Sequence, residues 1–322
     1  MTKIATIGCG LIGQGWATVF AQAGFDVAMY DASAEMAERA LKSMETRVAD
    51  LVEFDLIAAS EAPAILQRIT VAHDLEDALH GTVYIQESGP ERLDVKREIT
   101  RSLDAIAAPD VPIASSTSGI AASRYCEDIK GRHRCLVVHP INPPHLIPAV
   151  EIVPTPWTGA KIVSEVTALM RACRRETIVL NKEIDGFVVN RLQGALLEEA
   201  FKLVGSGIVS AADLDKAICD GLGLRWSFMG PIQTIHLNAP EGIAQYVERY
   251  GDMYRGFGIG PYEGVNWADI VENRLRAELN ARIPMADIPA AQADRDRKLM
   301  ALLRHKAQAR VHTSSNMNTI KE

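Results

Sequence analysis

His139-Pro-Ile-Asn142-Pro-Pro, followed by Glu151 within the run Pro148-Ala-Val-Glu-Ile-Val, sets a histidine close to a lone carboxylate. The histidine opens a proline-fixed loop after the apolar run Leu136-Val137-Val138, and Glu151 emerges from a second apolar run. A neutral imidazole takes a proton near pH 7, and a carboxylate on its other ring nitrogen holds the tautomer and stabilises the imidazolium. The same residues also fit a loop histidine beside a strand glutamate, with no chemistry between them. The other end of the chain tips the balance. It opens with a nucleotide-binding signature, and a base–orienter pair downstream of such a signature points to hydride transfer at a carbon bearing a hydroxyl.

That signature is Lys3-Ile-Ala-Thr-Ile7 followed by Gly8-Cys9-Gly10-Leu11-Ile12-Gly13, then Trp16-Ala-Thr-Val-Phe20-Ala, then Gly24 through Tyr30-Asp31. It reads as a buried strand, a glycine turn, a helix, and a second strand ending in an acid. Gly8 permits the tight turn, Gly10 lets the backbone approach a pyrophosphate, and Gly13 lets the helix pack on the strand. The helix N-terminus, with Leu11 and Ile12, offers unpaired N–H groups to phosphates. Asp31 stands where a carboxylate bonds the adenosine ribose and repels a 2′-phosphate, so the expected cofactor is NAD rather than NADP.

These residues need a scaffold, and the pattern supplies one. Helical spacing over residues 33–68 leads to a short strand at Thr82–Ile85, then Gln86-Glu87-Ser-Gly-Pro90-Glu91 and a helix from Arg92. Another strand follows at Pro112–Ser115. Such alternation argues for a doubly wound parallel sheet with helices on both faces. Ligands then bind beyond the carboxyl ends of the strands, where Glu87–Glu91, Ser115–Ser118 and His139–Asn142 fall. After Asp185-Gly186 the strand-like runs stop. Long amphipathic stretches take over: Phe187–Gly205, Ala211–Gly221 and Pro231–Tyr250, with a capping-box-like Ser210-Ala-Ala-Asp213 and Gly221 and Gly223 as terminators. The expected fold is therefore α/β, a Rossmann-type NAD-binding domain over 1–186 followed by an all-helical domain over 187–322. The polar tail from Val311 reads as frayed.

Composition is that of a globular enzyme. The 322 residues suffice for two domains with cores. A net charge of −7 gives no electrostatic footprint for nucleic acid or an anionic membrane surface. No run reaches the length of a membrane span, and residues 1–7 already read as a strand, which leaves no room for a signal peptide. The five cysteines (Cys9, Cys126, Cys135, Cys173, Cys219) show no metal-ligand spacing. They read as reduced, mostly buried thiols of a cytoplasmic protein. Cys9 sits in the glycine turn, where small-residue packing explains it and oxidation would hinder cofactor binding.

From end to end the chain resembles the 3-hydroxyacyl-CoA dehydrogenase superfamily, through GCGLIG, ESGPERLDVK, SSTSGI, HPINPP, PAVEIV and GFVVNRL in that order. Within it, HPINPPHLIPAVEIVP, GFVVNRLQ, GIVSAADLDKAICDGLGLRWSFMGP and IHLN resemble the lambda-crystallin / L-gulonate 3-dehydrogenase branch. The resemblance implies that His139 is the catalytic base and that Glu151 orients it. It implies that Ser118 bonds the reacting oxygen, that Asn142 contacts the cofactor, and that Asn190 donates to the oxygen as charge develops. Each has a plainer reading: Ser118 as a helix cap, Asn142 as an Asx turn before Pro143, Asn190 in local backbone bonds. Glu91 and Lys96 match family positions near the cofactor; without that match they read as solvated helix-face charges. A homodimer through the helical domain is implied too, and the apolar stripe Leu192, Leu196, Leu197 and Phe201 is in keeping with it.

Two features bear on the substrate. Acyl-CoA enzymes of the superfamily meet the CoA phosphates with a basic helical segment after the second strand. Here the stretch from Asp50 to Gln67 carries acids and no lysine or arginine, a poor site for a polyphosphate. Arg225, beside Trp226, either clamps a substrate carboxylate or makes a surface ion pair. Trp226 reads as core or cleft wall, though a cation–π contact would suit a carnitine-type substrate. The expectation is NAD-dependent oxidation of a small 3-hydroxy carboxylate, L-gulonate to 3-dehydro-L-gulonate first. The alternatives are a 3-hydroxyacyl-CoA (3-hydroxybutyryl-CoA) dehydrogenase, a carnitine 3-dehydrogenase, or a crystallin-like protein that binds NAD(H) without turnover. Intact His139, Glu151, Ser118 and Asn190 weigh against the last.

Overall fold

A computed structural model of the chain describes residues 2–227, 229–257, 267–271, 273, 277, 280–281 and 283–319. The chain divides into two compact units, Met1–Val188 with Gln292–Glu322, and Val189–Ala291.

The first unit is built on an eight-stranded sheet: β1 (Lys3–Ile7), β2 (Asp26–Tyr30), β3 (Ile69–Val71), β4 (Thr82–Glu87), β5 (Ile113–Ser115), β6 (Cys135–Pro140), β7 (Ala149–Pro154) and β8 (Glu176–Val179). Their order is β3-β2-β1-β4-β5-β6-β7-β8. Pairing is parallel from β3 through to β6. Chain order reverses between β1 and β4, and the crevice at their carboxyl ends is the switch point where such sheets take ligands. Here the alternating pattern told the truth.

One pairing departs from the expected parallel sheet. β7 runs antiparallel to β6, and β8 follows β7 in parallel. Residues 141–148 between β6 and β7 are too few for the helical crossover that a parallel neighbour needs, so the chain returns on itself. That return sets His139 opposite Glu151 in register.

The strands alternate faces with period two. Leu136, Val138 and Ile152 pack with Trp16, Phe20 and Tyr84 on one face. Val137 and Val153 join Ile85, Leu103, Ile113 and Phe187 on the other. On the first face lie α1 (Leu11–Gln22) and α2 (Ala34–Glu53). α2 buries Ala37, Ala40, Met44, Val48 and Leu51, the spacing of a helix with one apolar stripe.

The C-terminal segment corrects the expected division at 187–322. The helix Ile288–Thr319 returns to α2, so the residues from Gln292 belong to the first unit. Met300 is buried with Leu51 and Leu146. Arg297 pairs with Glu53 and lies over the Phe54 ring at 5.5 Å, and Arg304 pairs with Asp55 at 2.8 Å. The polar tail is thus the end of a helix whose earlier turns have both apolar and charged partners on α2.

The described part of the second unit is helical: Val189–Gly205, Ala211–Lys216, Gly223–Trp226, Pro231–Leu237 and Ile243–Gly256. Ser210 caps its helix by accepting from the Asp213 N–H, as its spacing predicts. Gly221 and Gly223 do not end a helix. A π-helical run, Ala217–Leu222, carries the chain straight into Gly223–Trp226, and a Cβ on Gly223 would meet the Ile218 carbonyl oxygen at 2.8 Å. The stretch Pro231–Tyr250 breaks around Gly242, whose φ of +79° no ordinary side chain favours.

Candidate active site

The glycine turn forms as its spacing requires. The Gly8 N–H donates to the Tyr30 carbonyl at 2.8 Å, tying the turn after β1 to the end of β2. A Cβ on Gly13 would stand 1.8 Å from the Gly8 carbonyl oxygen, so only glycine lets α1 come this close. In front of Gly10, by contrast, a Cβ would meet nothing within 4 Å. That open space, facing an α1 N-terminus with no side-chain cap, is the cradle a pyrophosphate fits. Leu11 is exposed there, while Ile12 packs against the core.

Asp31 follows β2. Its Oδ2 accepts the Cys9 N–H at 2.8 Å and its Oδ1 the Ser33 N–H at 2.9 Å. A carboxylate has room for about four donors, so it can fix the glycine turn and still receive ribose hydroxyls. Burial, then the charge of Asp31, pushes the Cys9 thiol up to about 12. It therefore stays protonated and unreactive at neutral pH. Packing accounts for this cysteine.

His139 and Glu151 meet as their strand register demands. Nδ1 of His139 lies 2.8 Å from Oε2 of Glu151, and the residues are 4% and 0% exposed. A carboxylate only accepts, so in the neutral imidazole Nδ1 is the protonated nitrogen and Nε2 holds the lone pair. Oε1 of Glu151 receives the Val188 N–H at 2.7 Å. That amide is aimed by two successive left-handed residues, Gly186 (φ +74°) and Phe187 (φ +52°). Left-handed phenylalanine is strained, by about 1–3 kcal/mol. The fully buried Phe187 ring packs on His139 at 5.4 Å between centroids. Sequence reasoning placed Phe187 in a helix. The helix begins only at Val189.

Beyond β4 and β5 the loops are cross-tied. Oε1 of Glu91 accepts from the Thr117 hydroxyl at 2.6 Å, the Ser118 N–H at 3.0 Å and the Gly119 N–H at 3.1 Å. Ser118 itself is exposed on that loop, and Asn142 is exposed after β6 at a cis bond to Pro143. Lys96 is no solvated charge: it is 1% exposed, with its ammonium on both Glu87 oxygens at 3.0 and 2.9 Å and on the Gly89 carbonyl at 3.3 Å. An ammonium has three donors, and these contacts use them, which leaves none for direct contact with a cofactor. Glu91, half exposed, is the member of the pair that reaches the loop surface.

Asn190 stands in the first turn of Val189–Gly205, in the second unit. Arg225 is also there. It lines a cavity of about 400 Å³ with Trp226, Thr234, Tyr246 and Tyr254, and has no carboxylate partner among the described residues. Sequence reading overlooked the tyrosines and the π-helix before Arg225. It also overlooked a polar chain behind the glycine turn: Gln14 donates to the Cys9 carbonyl at 2.9 Å and accepts from Ser43 at 2.6 Å and Arg47 at 3.4 Å. No sequence spacing marks such a chain, because it joins α1 to α2 across the fold. Among the described residues, no cluster could hold a metal ion and no helix is long and apolar enough to cross a membrane.

Comparison with known proteins bears directly on this geometry. Residues 3–184 match the family model for the 3-hydroxyacyl-CoA dehydrogenase NAD binding domain, and residues 186–267 match that for the C-terminal domain. A lambda-crystallin homolog of Bos taurus is 38% identical over 95% of this chain and 96% of its own. An L-carnitine dehydrogenase of Streptomyces coelicolor is 33% identical over 94% of each. Among solved structures, 5-formyl-3-hydroxy-2-methylpyridine 4-carboxylic acid 5-dehydrogenase, an NAD+ dependent dismutase, superposes with a TM-score of 0.80 at 27% identity, covering 94% of this chain and 98% of that one. With a nucleotide cradle, a buried histidine–carboxylate pair and both family domains in place, the chain belongs to the 3-hydroxyacyl-CoA dehydrogenase family and is an NAD-dependent dehydrogenase acting on CH–OH groups.

Proposed function

We propose that the chain oxidises the 3-hydroxyl of a small hydroxy carboxylate, with L-gulonate to 3-dehydro-L-gulonate the first choice, and that His139 is the general base. The observation that carries the base is the buried His139–Glu151 pair, which fixes a lone pair on Nε2. Bound NAD supplies the hydride acceptor. Gly8, Gly10, Leu11, Ile12 and Gly13 would cradle its pyrophosphate, Asp31 its adenosine ribose, and Asn142 and Glu91 its nicotinamide half. His139 removes the hydroxyl proton, and Glu151 stabilises the imidazolium that results. Ser118 and Asn190 donate to the oxygen as the carbonyl forms. Arg225 holds the substrate carboxylate.

The preference for a free acid over a CoA thioester rests on charge. The stretch 50–67 has no base of its own, and its acids Glu53 and Asp55 are matched to Arg297 and Arg304 of the C-terminal helix. That surface offers a polyphosphate little attraction. Exposed Leu192, Leu196 and Leu197 support a homodimer through the second unit, and five free cysteines are in keeping with a reducing compartment such as the cytoplasm.

Initial rates with NAD on L-gulonate, L-carnitine, L-3-hydroxybutyrate and its CoA thioester test the substrate. The highest kcat/KM should fall on L-gulonate, and Arg225→Met should raise KM for the free acids while sparing the thioester. A thioester preferred by the unaltered enzyme would sink the substrate class. His139→Gln should cut turnover by about 10²–10⁴.

A further inference from the structure

Glu87 ends β4 and is 1% exposed. Three groups make four hydrogen bonds to its carboxylate. Oε1 accepts from the Lys96 ammonium at 3.0 Å and the Gly89 N–H at 2.5 Å, while Oε2 accepts from Lys96 at 2.9 Å and the Ser115 hydroxyl at 2.5 Å. Two strand ends are therefore bolted at one point: the turn after β4, through Gly89, and the end of β5, through Ser115. The Glu87 backbone carbonyl adds a third tie, accepting the Ser116 N–H at 2.7 Å.

Lys96 extends the bolt outward. Its ammonium stands 4.0 Å from Oε2 of Glu91, whose other oxygen gathers the Thr117, Ser118 and Gly119 donors. One buried cation thus sits between two carboxylates, an inner one that anchors it and an outer one that shapes a loop. Without that cation Oε2 of Glu91 loses the charge that holds it inward, and the half-exposed carboxylate turns toward water. Without Glu87 the ammonium would be left buried and free to turn fully onto Glu91. Either loss pulls Glu91 from the three donors it holds. We infer that Glu87 is a positioning residue for the reaction: through Lys96 it fixes Glu91, and through Glu91 the Thr117–Gly119 loop that carries Ser118. The inference rests on the reading of Glu91 and Ser118 as parts of the site.

A cycle of variants tests it. Glu87→Met or Lys96→Met alone leaves a buried unpaired charge and should lower the thermal midpoint, on the order of 10 °C. Removing both charges together should restore most of that stability, because a buried pair replaced by apolar side chains of similar volume is often near neutral. Turnover should not return with it. The double variant should keep an NAD-dependent kcat reduced about 10–100-fold, since Glu91 still lacks its cation. In a Glu91→Ala background, the same double substitution should cost less than about twofold more, because the route has already been cut.

A double variant with both midpoint and kcat near the starting values would overturn the inference, leaving Glu87 structural only. So would losses that multiply fully in the Glu91→Ala background. Should the double variant stay unstable, Glu87→Gln assayed well below its own midpoint decides by the same kcat criterion. Wild-type turnover in Glu91→Ala is a different result: it refutes the reading of Glu91 as part of the site, and the inference goes with it.

Discussion

Replacing Glu151 by glutamine is the most exacting test of the proposed base, because it exchanges one oxygen for an NH₂ group and leaves the shape. The carboxylate accepts from His139 Nδ1 at 2.8 Å on one oxygen and from the Val188 N–H at 2.7 Å on the other. Glutamine keeps one oxygen and turns the other into an NH₂ group. Whichever way the amide settles, one N–H donor then faces another in a site with no exposure. If the amide oxygen stays with Val188, the imidazole loses the partner that fixes its tautomer. If it turns to His139, the imidazolium still loses the negative charge that stabilises it. A hydrogen bond to a charged group contributes about 1.5–3 kcal/mol, and about 1.36 kcal/mol is a decade in rate. Glu151→Gln should therefore lower kcat about 10–150-fold, less than His139→Gln does. Affinity for NAD should hold within about twofold, since Glu151 touches neither the glycine turn nor Asp31. The assay is steady-state NADH formation on the best acid of the panel, with circular dichroism to show that the variant is folded. A folded variant with kcat within twofold of the starting enzyme would refute the coupling of Glu151 to His139.

Two further perturbations follow from the geometry. Asp31→Ala should narrow the preference for NAD over NADP by removing repulsion of a 2′-phosphate, measured as the ratio of kcat/KM for the two cofactors; an unaltered enzyme that prefers NADP would show that Asp31 does not face the ribose. His145 is pushed down to about 3 by burial and then by Arg47 and Arg175, so it is neutral in the fold while its unfolded form titrates near 6.5. Its contribution to stability is present above pH 6.5 and is lost as pH falls toward 3, at no more than about 1.36 kcal/mol per unit. Denaturant midpoints across that window should fall with acid in the starting protein and less so in His145→Gln, and an identical pH dependence would exclude His145 as the cause.

The glycine turn, the acid after β2 and the His139–Glu151 pair were legible because each is local. A strand, a turn and a helix in sequence leave their spacing in the letters, and two apolar runs joined by a short proline-rich loop can only come back alongside one another. Three things were not. Lys96 looked solvated because nothing in a helix-face lysine announces a buried carboxylate at the end of the preceding strand. The boundary at 188 was close, but the return of residues 292–319 to α2 depends on Met300, Arg297 and Arg304 finding partners more than two hundred residues away. Phe187 looked helical because left-handed phenylalanine has no sequence signature; tertiary packing on His139 imposes it.

The chain leaves the first unit at Val188 and re-enters it at Gln292, which makes residues 189–291 an insertion tethered at both ends. A tethered insertion behaves unlike a terminal domain. Its disordered state is a closed loop, already deprived of some freedom, so melting it gains less entropy than melting a free tail would. It can also be exchanged between relatives as a cassette, provided both cuts respect the anchors. The upstream cut has little latitude, for a junction placed at Gly186 would take away the very amide that Glu151 holds. Recombination just past Val188 keeps the His139–Glu151 pair and its backbone tie whole while exchanging everything the insertion carries.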